Sequence, residues 1–187
     1  QLAEKLGLPV VCFIDTKGAW CGIGAEERGQ SIAIARNLEA MAILRTPVIC
    51  IVLGEGGSGG ALAIAIGDKL AILANAYFSV ISPEGCAAIL WRDASYAPQA
   101  AAALKMCAHD LYEIGMVDDV IPEPPGGAHR APKATAMAIR EYITRTLPPL
   151  METPIDTLLD RRYRRLRSFG VYREEIETLL ANPKDRG

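Results

Sequence analysis

The chain has 187 residues, half of them are hydrophobic, and its formal net charge is -2 at pH 7. This length and composition predict one globular domain with a substantial core and exclude a disordered chain. The small net charge gives no electrostatic reason to expect nucleic acid or an anionic lipid surface as the main partner. Specificity should therefore come from a defined site.

The cysteine pattern predicts a reduced intracellular protein without a metal, because none of the cysteines forms a C-x-x-C pair. The apolar stretch 61–81 is not a predicted membrane span, since Asp68 and Lys69 interrupt it and each would cost about 2.5 to 3.5 kcal/mol at a bilayer centre. The charged opening segment does not resemble a signal peptide. A start at Gln1, within a predicted helix, leads us to expect further sequence upstream.

The first half of the chain alternates between predicted strands and helices. Two short apolar runs, 9–14 and 47–53, predict buried parallel strands, and a helix is predicted between them over 26–45. A glycine-rich loop over 54–60 leads into a short helix to about Ile66. This alternation is typical of an α/β fold.

The second half predicts a further strand, several helices and a tail. Ser82 before Pro83 predicts a helix start, with serine as the N-cap and proline at the first helical position. We expect an α/β core over 1–150 and a helical tail over 151–187. The other predicted elements are an apolar stretch over 70–81, an alanine-rich helix over 98–116, a strand over 117–121, a turn-rich segment over 122–132, a helix over 133–147 that ends before Pro148, and a helix over 155–181.

The segment GEGGSGGALAIAIGD, residues 54–68, contains the dinucleotide pattern G-x-G-x-x-G at Gly54, Gly56 and Gly59. A dinucleotide site needs a full crossover helix and an acidic residue about 20 positions later. The predicted helix is too short, and no acidic residue follows in that region until Glu84. The pattern is therefore not interpreted as a dinucleotide site.

The same segment also contains the pattern G-x-S-x-G, with Ser58 as a potential nucleophile on a strand-to-helix turn. Acidic and histidine candidates follow in the order that many hydrolases use. Spacing alone does not show that any of them meets Ser58, so a serine hydrolase stays open as an alternative function. The candidates are Asp93, Asp118, His109 and His129.

A third interpretation concerns the backbone of the glycine segment. Glycines leave backbone N–H groups uncovered, and the N–H groups of a first helical turn lack intrahelical acceptors at the positive end of the dipole. The segment therefore predicts an oxyanion hole. Close packing of the strand against the helix is the alternative explanation for the glycines.

Four stretches of the chain together form a specific pattern. In unbroken order they are FIDTKGAWCGIGAEERGQSIAIARNL, PVICIVLGEGGSGGALAIAIGD, FSVISPEGCAAILWRDA and VIPEPPGGAHR. Over about residues 1–170, the chain resembles the α subunit family of the bacterial and plastid acetyl-coenzyme A carboxylase carboxyltransferase. The resemblance implies a crotonase-like spiral of β-β-α units. It also implies transfer of a carboxyl group from carboxybiotin, held on a biotin carrier protein, to acetyl-coenzyme A, which gives malonyl-coenzyme A for fatty acid biosynthesis.

The resemblance further implies an α2β2 assembly with a β subunit that carries zinc, located in the bacterial cytoplasm or the plastid stroma. By the family motif, the N–H groups of Gly59 and Gly60 form the oxyanion hole for the biotin ureido oxygen, with that of Ala61 nearby. Ser58 then is a small turn residue. The loop expected beside biotin contains Gly18, Ala19, Trp20 and Gly22.

That loop departs from the family pattern. Relatives commonly have DTPGAYPG where this chain has DTKGAWCG, so Lys17 and Cys21 replace two prolines and Trp20 replaces a tyrosine. The shape of the biotin pocket, and the activity itself, depend on how the loop accommodates these changes.

The remaining charged residues have less specific interpretations. We interpret Glu26 and Glu84 as helix-cap charges and His129 as a turn residue. Two interpretations stay open for the arginine run 161–167, which is either a solvated helix face or a contact for coenzyme A phosphates or an acidic partner. A non-catalytic, subunit-binding fragment is a further alternative for the whole chain.

Overall fold

The structure, a computed structural model, describes residues 1–170 and contains one five-stranded sheet in which every paired strand is parallel. The strand order is β1-β2-β3-β5, and β4 also pairs with β2. The strands are β1 Val10–Thr16, β2 Val48–Gly57, β3 Lys69–Leu73, β4 Tyr77–Ser79 and β5 Asp119–Ile121.

Helices follow or separate the strands, as an α/β sequence requires. Within residues 1–170, no helix is both long enough and apolar enough to cross a bilayer. The helices are α1 Leu2–Leu6, α2 Ile23–Glu27, α3 Gln30–Ala42, α4 Ser58–Leu62, α5 Pro83–Trp91, α6 Ala97–Leu104, α7 Ala108–Glu113, α8 Pro132–Glu152 and α9 Ile155–Arg167.

The centre of the core is β2, whose first five residues, 48–52, are fully buried. A run without alternation is expected for a parallel strand that is covered on both faces. The same strand pairs with β3 through residues 49–52 and with β4 through residues 55–57. Strand β2 therefore pairs with β3 in its first half and with β4 near its end. Strands β3 and β4 and helix α5 form the expected β-β-α unit.

Three predicted boundaries in the first half are wrong, and one is the end of the short helix, since α4 ends at Leu62 and not at about Ile66. The glycine segment is not a loop throughout, because β2 continues to Gly57 and α4 begins at the next residue. The helix predicted over 26–45 is two helices, α2 and α3, because Gly29 adopts a left-handed conformation with φ 72° between them. Glycine adopts this conformation without the steric cost that other residues pay.

The helix predicted to end before Pro148 instead continues to Glu152, with Pro148 and Pro149 inside it. A proline in a helix leaves the carbonyl four residues earlier without its N–H donor. Here those carbonyls belong to Thr144 and Arg145, which are exposed and can bond to water. Solvation of the freed carbonyls explains why the helix tolerates both prolines.

Helix α9 carries the arginine run and packs on the core. Arg162 is only 1% exposed and pairs with Asp68 at 2.7 Å. Its guanidinium also donates to the backbone carbonyl oxygens of Met41, Leu44 and Thr46. A solvated face is therefore the wrong interpretation for this arginine.

The other arginines of the run divide into two groups. Arg165 is largely buried and binds Asp118 at 2.7 Å, so it too has a structural partner. Arg161, Arg164 and Arg167 are exposed. Residues 171–187 of the predicted tail lie outside the described part of the chain, and the division at residue 150 stays a prediction.

Candidate active site

The candidate site lies where β2 meets α4. Gly57 is extended, with φ -98° and ψ 125°, and the chain turns into the helix at Ser58. Ser58 has φ 52°, a left-handed conformation that is uncommon for residues other than glycine. The strand-to-helix turn predicted from the sequence is therefore present. Ser58, at the turn, is exposed.

Gly59 and Gly60 are the second and third residues of α4, so their N–H groups belong to the first helical turn. Such groups have no acceptor within the helix. Across the part of the chain that the structure describes, neither N–H group donates to another backbone or side-chain acceptor. Two adjacent donors at the positive end of a helix can stabilise a negatively charged oxygen.

The glycines of this turn meet different surroundings. A Cβ atom on Gly57 would collide with the backbone carbonyl of Lys17, and one on Gly60 would lie 2.6 Å from the backbone nitrogen of Ala19. By contrast, a Cβ atom on Gly59 would have no atom within 4 Å. Close packing therefore accounts for Gly57 and Gly60, but it does not account for Gly59.

The loop after β1 supplies these close contacts. Thr16 closes the loop, because its Oγ1 accepts a hydrogen bond from the N–H of Gly18 at 3.2 Å. Gly18 has φ 142°, and its Cα lies 3.1 Å from the Cβ position of Gly60. The structure thus brings Gly18 and Ala19 against Gly60, while their assignment to a biotin site stays a prediction.

The structure gives less direct support for the other predicted site residues. Trp20 is 76% exposed, and its indole lies over Gly22, where a Cβ atom would collide with Nε1. Ala61 is fully buried, so its methyl group packs in the core. Their assignment to a biotin pocket stays a prediction.

A carboxylate that the sequence analysis missed joins the two strands just before the turn. Asp15, on β1, accepts a hydrogen bond from the N–H of Glu55 at 2.9 Å. Burial, and then the nearby Glu55 and Asp15 carboxylates, raise the pKa of Tyr77 above its ordinary value. The position of Asp15 at the carboxyl end of a predicted strand was the signal that could have identified it.

A second missed carboxylate shapes an adjacent cleft of about 740 Å³, which lies at the ends of β1, β2 and β3. Glu123 accepts from the N–H of Asn75 at 2.6 Å and from the N–H of Ala128 at 2.8 Å. It thereby holds the segment that contains His129, which is exposed and lines the cleft. The donor pair itself does not line this cleft.

Three of the four candidate partners for a Ser58 nucleophile are engaged elsewhere. Among residues 1–170, no hydrogen bond joins the Ser58 hydroxyl to a histidine or a carboxylate. Asp118 binds Arg165 at 2.7 Å, and Asp93 caps the N–H of Ser95 at 2.9 Å. His109 lies 3.3 Å from Glu113 on its own helix. The serine turn therefore lacks a general base in the described structure.

Comparison with solved structures shows the fold. The chain resembles a subunit of a Pseudomonas malonate decarboxylase hetero-tetramer, solved in complex with malonate, with TM-score 0.67 and 18% identity over 96% of this chain and 73% of that one. It also resembles transcarboxylase 12S, solved with methylmalonyl-coenzyme A and methylmalonic acid bound, with TM-score 0.59 and 26% identity over 76% of this chain and 29% of that one. These likenesses confirm the crotonase-type α/β fold expected from the resemblance.

Comparison of sequences shows the family. The chain is 55% identical to the acetyl-coenzyme A carboxylase carboxyl transferase subunit alpha of Rhodopirellula baltica, over 94% of this chain and 55% of that protein. It therefore spans about half the length of the curated relatives it matches. Residues 1–170 match the model of the family described as acetyl co-enzyme A carboxylase carboxyltransferase-like. The chain belongs to this carboxyltransferase family.

Proposed function

We propose that this protein is the α subunit of an acetyl-coenzyme A carboxylase carboxyltransferase. In this role it takes part in moving a carboxyl group from carboxybiotin to acetyl-coenzyme A, which gives malonyl-coenzyme A. One observation carries the proposal from the structure. In a chain of this family, Gly59 and Gly60 place two N–H groups at the start of α4 that have no acceptor among residues 1–170, and Gly59 has open space around it.

In the proposed site, Gly59 and Gly60 donate to the ureido oxygen of biotin. Biotin, held on a separate carrier protein, supplies the carboxyl group that is transferred. The donors matter most when negative charge develops on that oxygen, and losing one such donor typically lowers the rate about 10² to 10³-fold. Because α4 and the loop at Gly18 and Ala19 are packed together, the donors are held in place before the ligand arrives.

The proposal includes a companion β subunit that holds the thioester oxygen of acetyl-coenzyme A and carries the zinc. Relatives of this chain are named as subunits, and the malonate decarboxylase neighbour is a hetero-tetramer. The donor turn is exposed here, with Ser58 and Trp20 both open to solvent. A companion subunit that covers this surface would exclude water from the site.

The left-handed φ of Ser58 is the observation that favours the alternative, a serine hydrolase. Nucleophilic serines in such turns need a histidine in hydrogen-bond reach. Among residues 1–170, no hydrogen bond joins Ser58 to His109 or His129, and His109 lies beside Glu113. In the proposed function Ser58 only turns the chain from strand to helix.

The experiment combines the protein with the companion subunit, carboxylated biotin carrier protein and acetyl-coenzyme A. We expect malonyl-coenzyme A to form only when both subunits are present, and we expect Ser58→Ala to keep this activity. A complex that assembles but transfers no carboxyl group would support a non-catalytic, subunit-binding role instead. Labelling by a fluorophosphonate that disappears in Ser58→Ala would support the hydrolase.

A further inference from the structure

The pairing of β1 with β2 changes register next to the donor turn. Ile14 pairs with Val52, but Thr16, two residues later, pairs with Gly56, four residues later on β2. The β2 strand therefore has two more residues than β1 in this interval, and some of its backbone groups lose a partner in the ladder. Such irregularities often redirect a chain beside a functional site.

Asp15 lies in this interval, and its carboxylate accepts a hydrogen bond in place of a backbone carbonyl of the strand ladder. Its Oδ1 accepts the N–H of Glu55 at 2.9 Å. Gly54 leaves the space for this carboxylate, since a Cβ atom there would lie 2.9 Å from Oδ1. A hydrogen bond to an ionised acceptor is about twice as strong as one between neutral groups.

The offset at Asp15 determines where the following loop meets the helix. The next residue, Thr16, closes the loop onto Gly18 through its hydroxyl. The loop backbone then contacts Gly57 at the end of β2 and Gly60 in α4. The loop backbone leaves no room for a Cβ atom on Gly57 or on Gly60. A shift of one strand relative to the other would therefore move the donor pair.

We propose that Asp15 is a positioning residue for carboxyl transfer, because its hydrogen bond to the N–H of Glu55 fixes the offset that orients the donors of Gly59 and Gly60. Asp15 does not touch the reacting atoms in this proposal. It rests on the function proposed above and deepens it. The side chain is exposed, so its removal does not empty the core.

The test compares Asp15→Ala with Asp15→Asn in the complex with the companion subunit. A misplacement of about 1 Å can lower a rate by about 10²-fold. We expect Asp15→Ala to lower kcat about 10 to 100-fold, with KM for acetyl-coenzyme A nearly unchanged, since the lost interaction acts in the transition state. Asp15→Asn keeps an oxygen acceptor and should restore most of kcat.

The matched control is Asp156→Ala. It removes another exposed carboxylate, which lies in the first turn of α9 and pairs with Arg45 at 2.9 Å. It should leave both kcat and KM unchanged. If Asp15→Ala does not fold, Asp15→Glu takes its place, because it keeps the charge but displaces the oxygen by one methylene. The proposal is overturned if Asp15→Ala has the wild-type kcat, or if Asp15→Asn is as slow as Asp15→Ala.

A second measurement separates this proposal from the proposed function. Amide NMR signals of Glu55, Gly59 and Gly60 should move in Asp15→Ala and stay near their wild-type positions in Asp15→Asn. A wild-type complex that transfers no carboxyl group would contradict the proposed function, and the amide shifts would still test the positioning. Unchanged Gly59 and Gly60 signals in Asp15→Ala would overturn the positioning role.

Discussion

Gly59 and Gly60 are neighbours in a single motif, yet they have different physical reasons to be glycine. Gly60 faces the backbone of Gly18 and Ala19, whereas Gly59 faces open space. The sequence motif could predict that the segment exposes N–H groups, because this follows from a helix start. It could not separate the two glycines, since the loop that contacts Gly60 is about 40 residues away in the chain.

The two glycines should differ in their effect on stability. We expect Gly60→Ala to lower the free energy of unfolding by about 1 to 3 kcal/mol, because the methyl group would overpack against the loop backbone. Gly59→Ala should leave it unchanged or raise it by up to about 1 kcal/mol, since alanine is the better helix former. Urea unfolding of both variants measures this difference. Equal losses would contradict the packing described here.

Two cysteines form a second residue-scale feature, because Cys12 on β1 is the direct partner of Cys50 on β2. A hydrogen bond from Cys50 lowers the pKa of Cys12 to about 7, although partial burial opposes this shift. The same pairing, together with burial, raises the pKa of Cys50. Cys12 should therefore be the thiolate of the pair.

The reactive form of a cysteine is the thiolate, so the alkylation rate rises as pH increases through the pKa. We expect iodoacetamide to modify Cys12 with a midpoint near pH 7. Cys50→Ala removes the donor and should move this midpoint upward, toward the value of about 8.5 of an ordinary thiol. Mass spectrometry of the Cys12 peptide against pH provides the measurement, and an identical midpoint in both proteins would refute the assignment.

At the scale of elements, helix α9 has an arginine-rich sequence that is typical of an exposed helix, yet one of its arginines is buried and joins the helix to the core. Five of its residues from 161 to 167 are arginines, and one of them, Arg162, enters the core. Its partner Asp68 also accepts the N–H of Val48 at 2.7 Å, so the ion pair joins α9 to the start of β2. A charged pair in the core remains stable only when its hydrogen bonds are satisfied.

Removing this anchor should be costly. Arg162→Ala leaves Asp68 buried without its cation, and we expect a loss of about 3 to 5 kcal/mol in the free energy of unfolding. Arg164→Ala is the matched control, because Arg164 is exposed and, within residues 1–170, its ion pair is with Asp160 on its own helix. The control should lose about 0.5 kcal/mol or less. Urea unfolding curves of the two variants that coincide would show that α9 is not anchored by Arg162.

The elements were predictable where local physics decides them. The apolar runs correctly predicted β1 and β2 as parallel strands, but the predicted burial is wrong for most of β1, where only Ile14 is buried. Ser82 with Pro83 correctly predicted the start of α5, where the Ser82 hydroxyl accepts the N–H of Gly85 at 3.1 Å. The predictions failed where contacts between residues far apart in the chain, or contact with solvent, determine the structure. The buried role of Arg162 depends on Asp68, and the continuation of α8 through Pro148 depends on a solvent-exposed position in the fold.

At the scale of the whole molecule, the described chain holds one half of the chemistry in the proposed function. In that proposal it provides donors for an oxygen of biotin, and the companion subunit provides the site for the thioester. The family resemblance predicted this division, together with the fold that the comparisons confirm. Composition and spacing alone predicted an α/β fold and an oxyanion hole, but could not predict which oxygen the hole receives.

The donor pair of Gly59 and Gly60 is the central feature of the proposed site, and one measurement tests it. In the complex with the companion subunit, kcat for malonyl-coenzyme A formation is compared for wild type, Gly59→Val and Leu62→Val, the last altering an exposed residue at the far end of α4. A side chain at Gly59 has room in the fold but occupies the space beside the donors. We predict that Gly59→Val lowers kcat about 100-fold, comparable to the loss of an oxyanion donor, while Leu62→Val keeps the wild-type value. A folded Gly59→Val complex with wild-type kcat would contradict the proposed site.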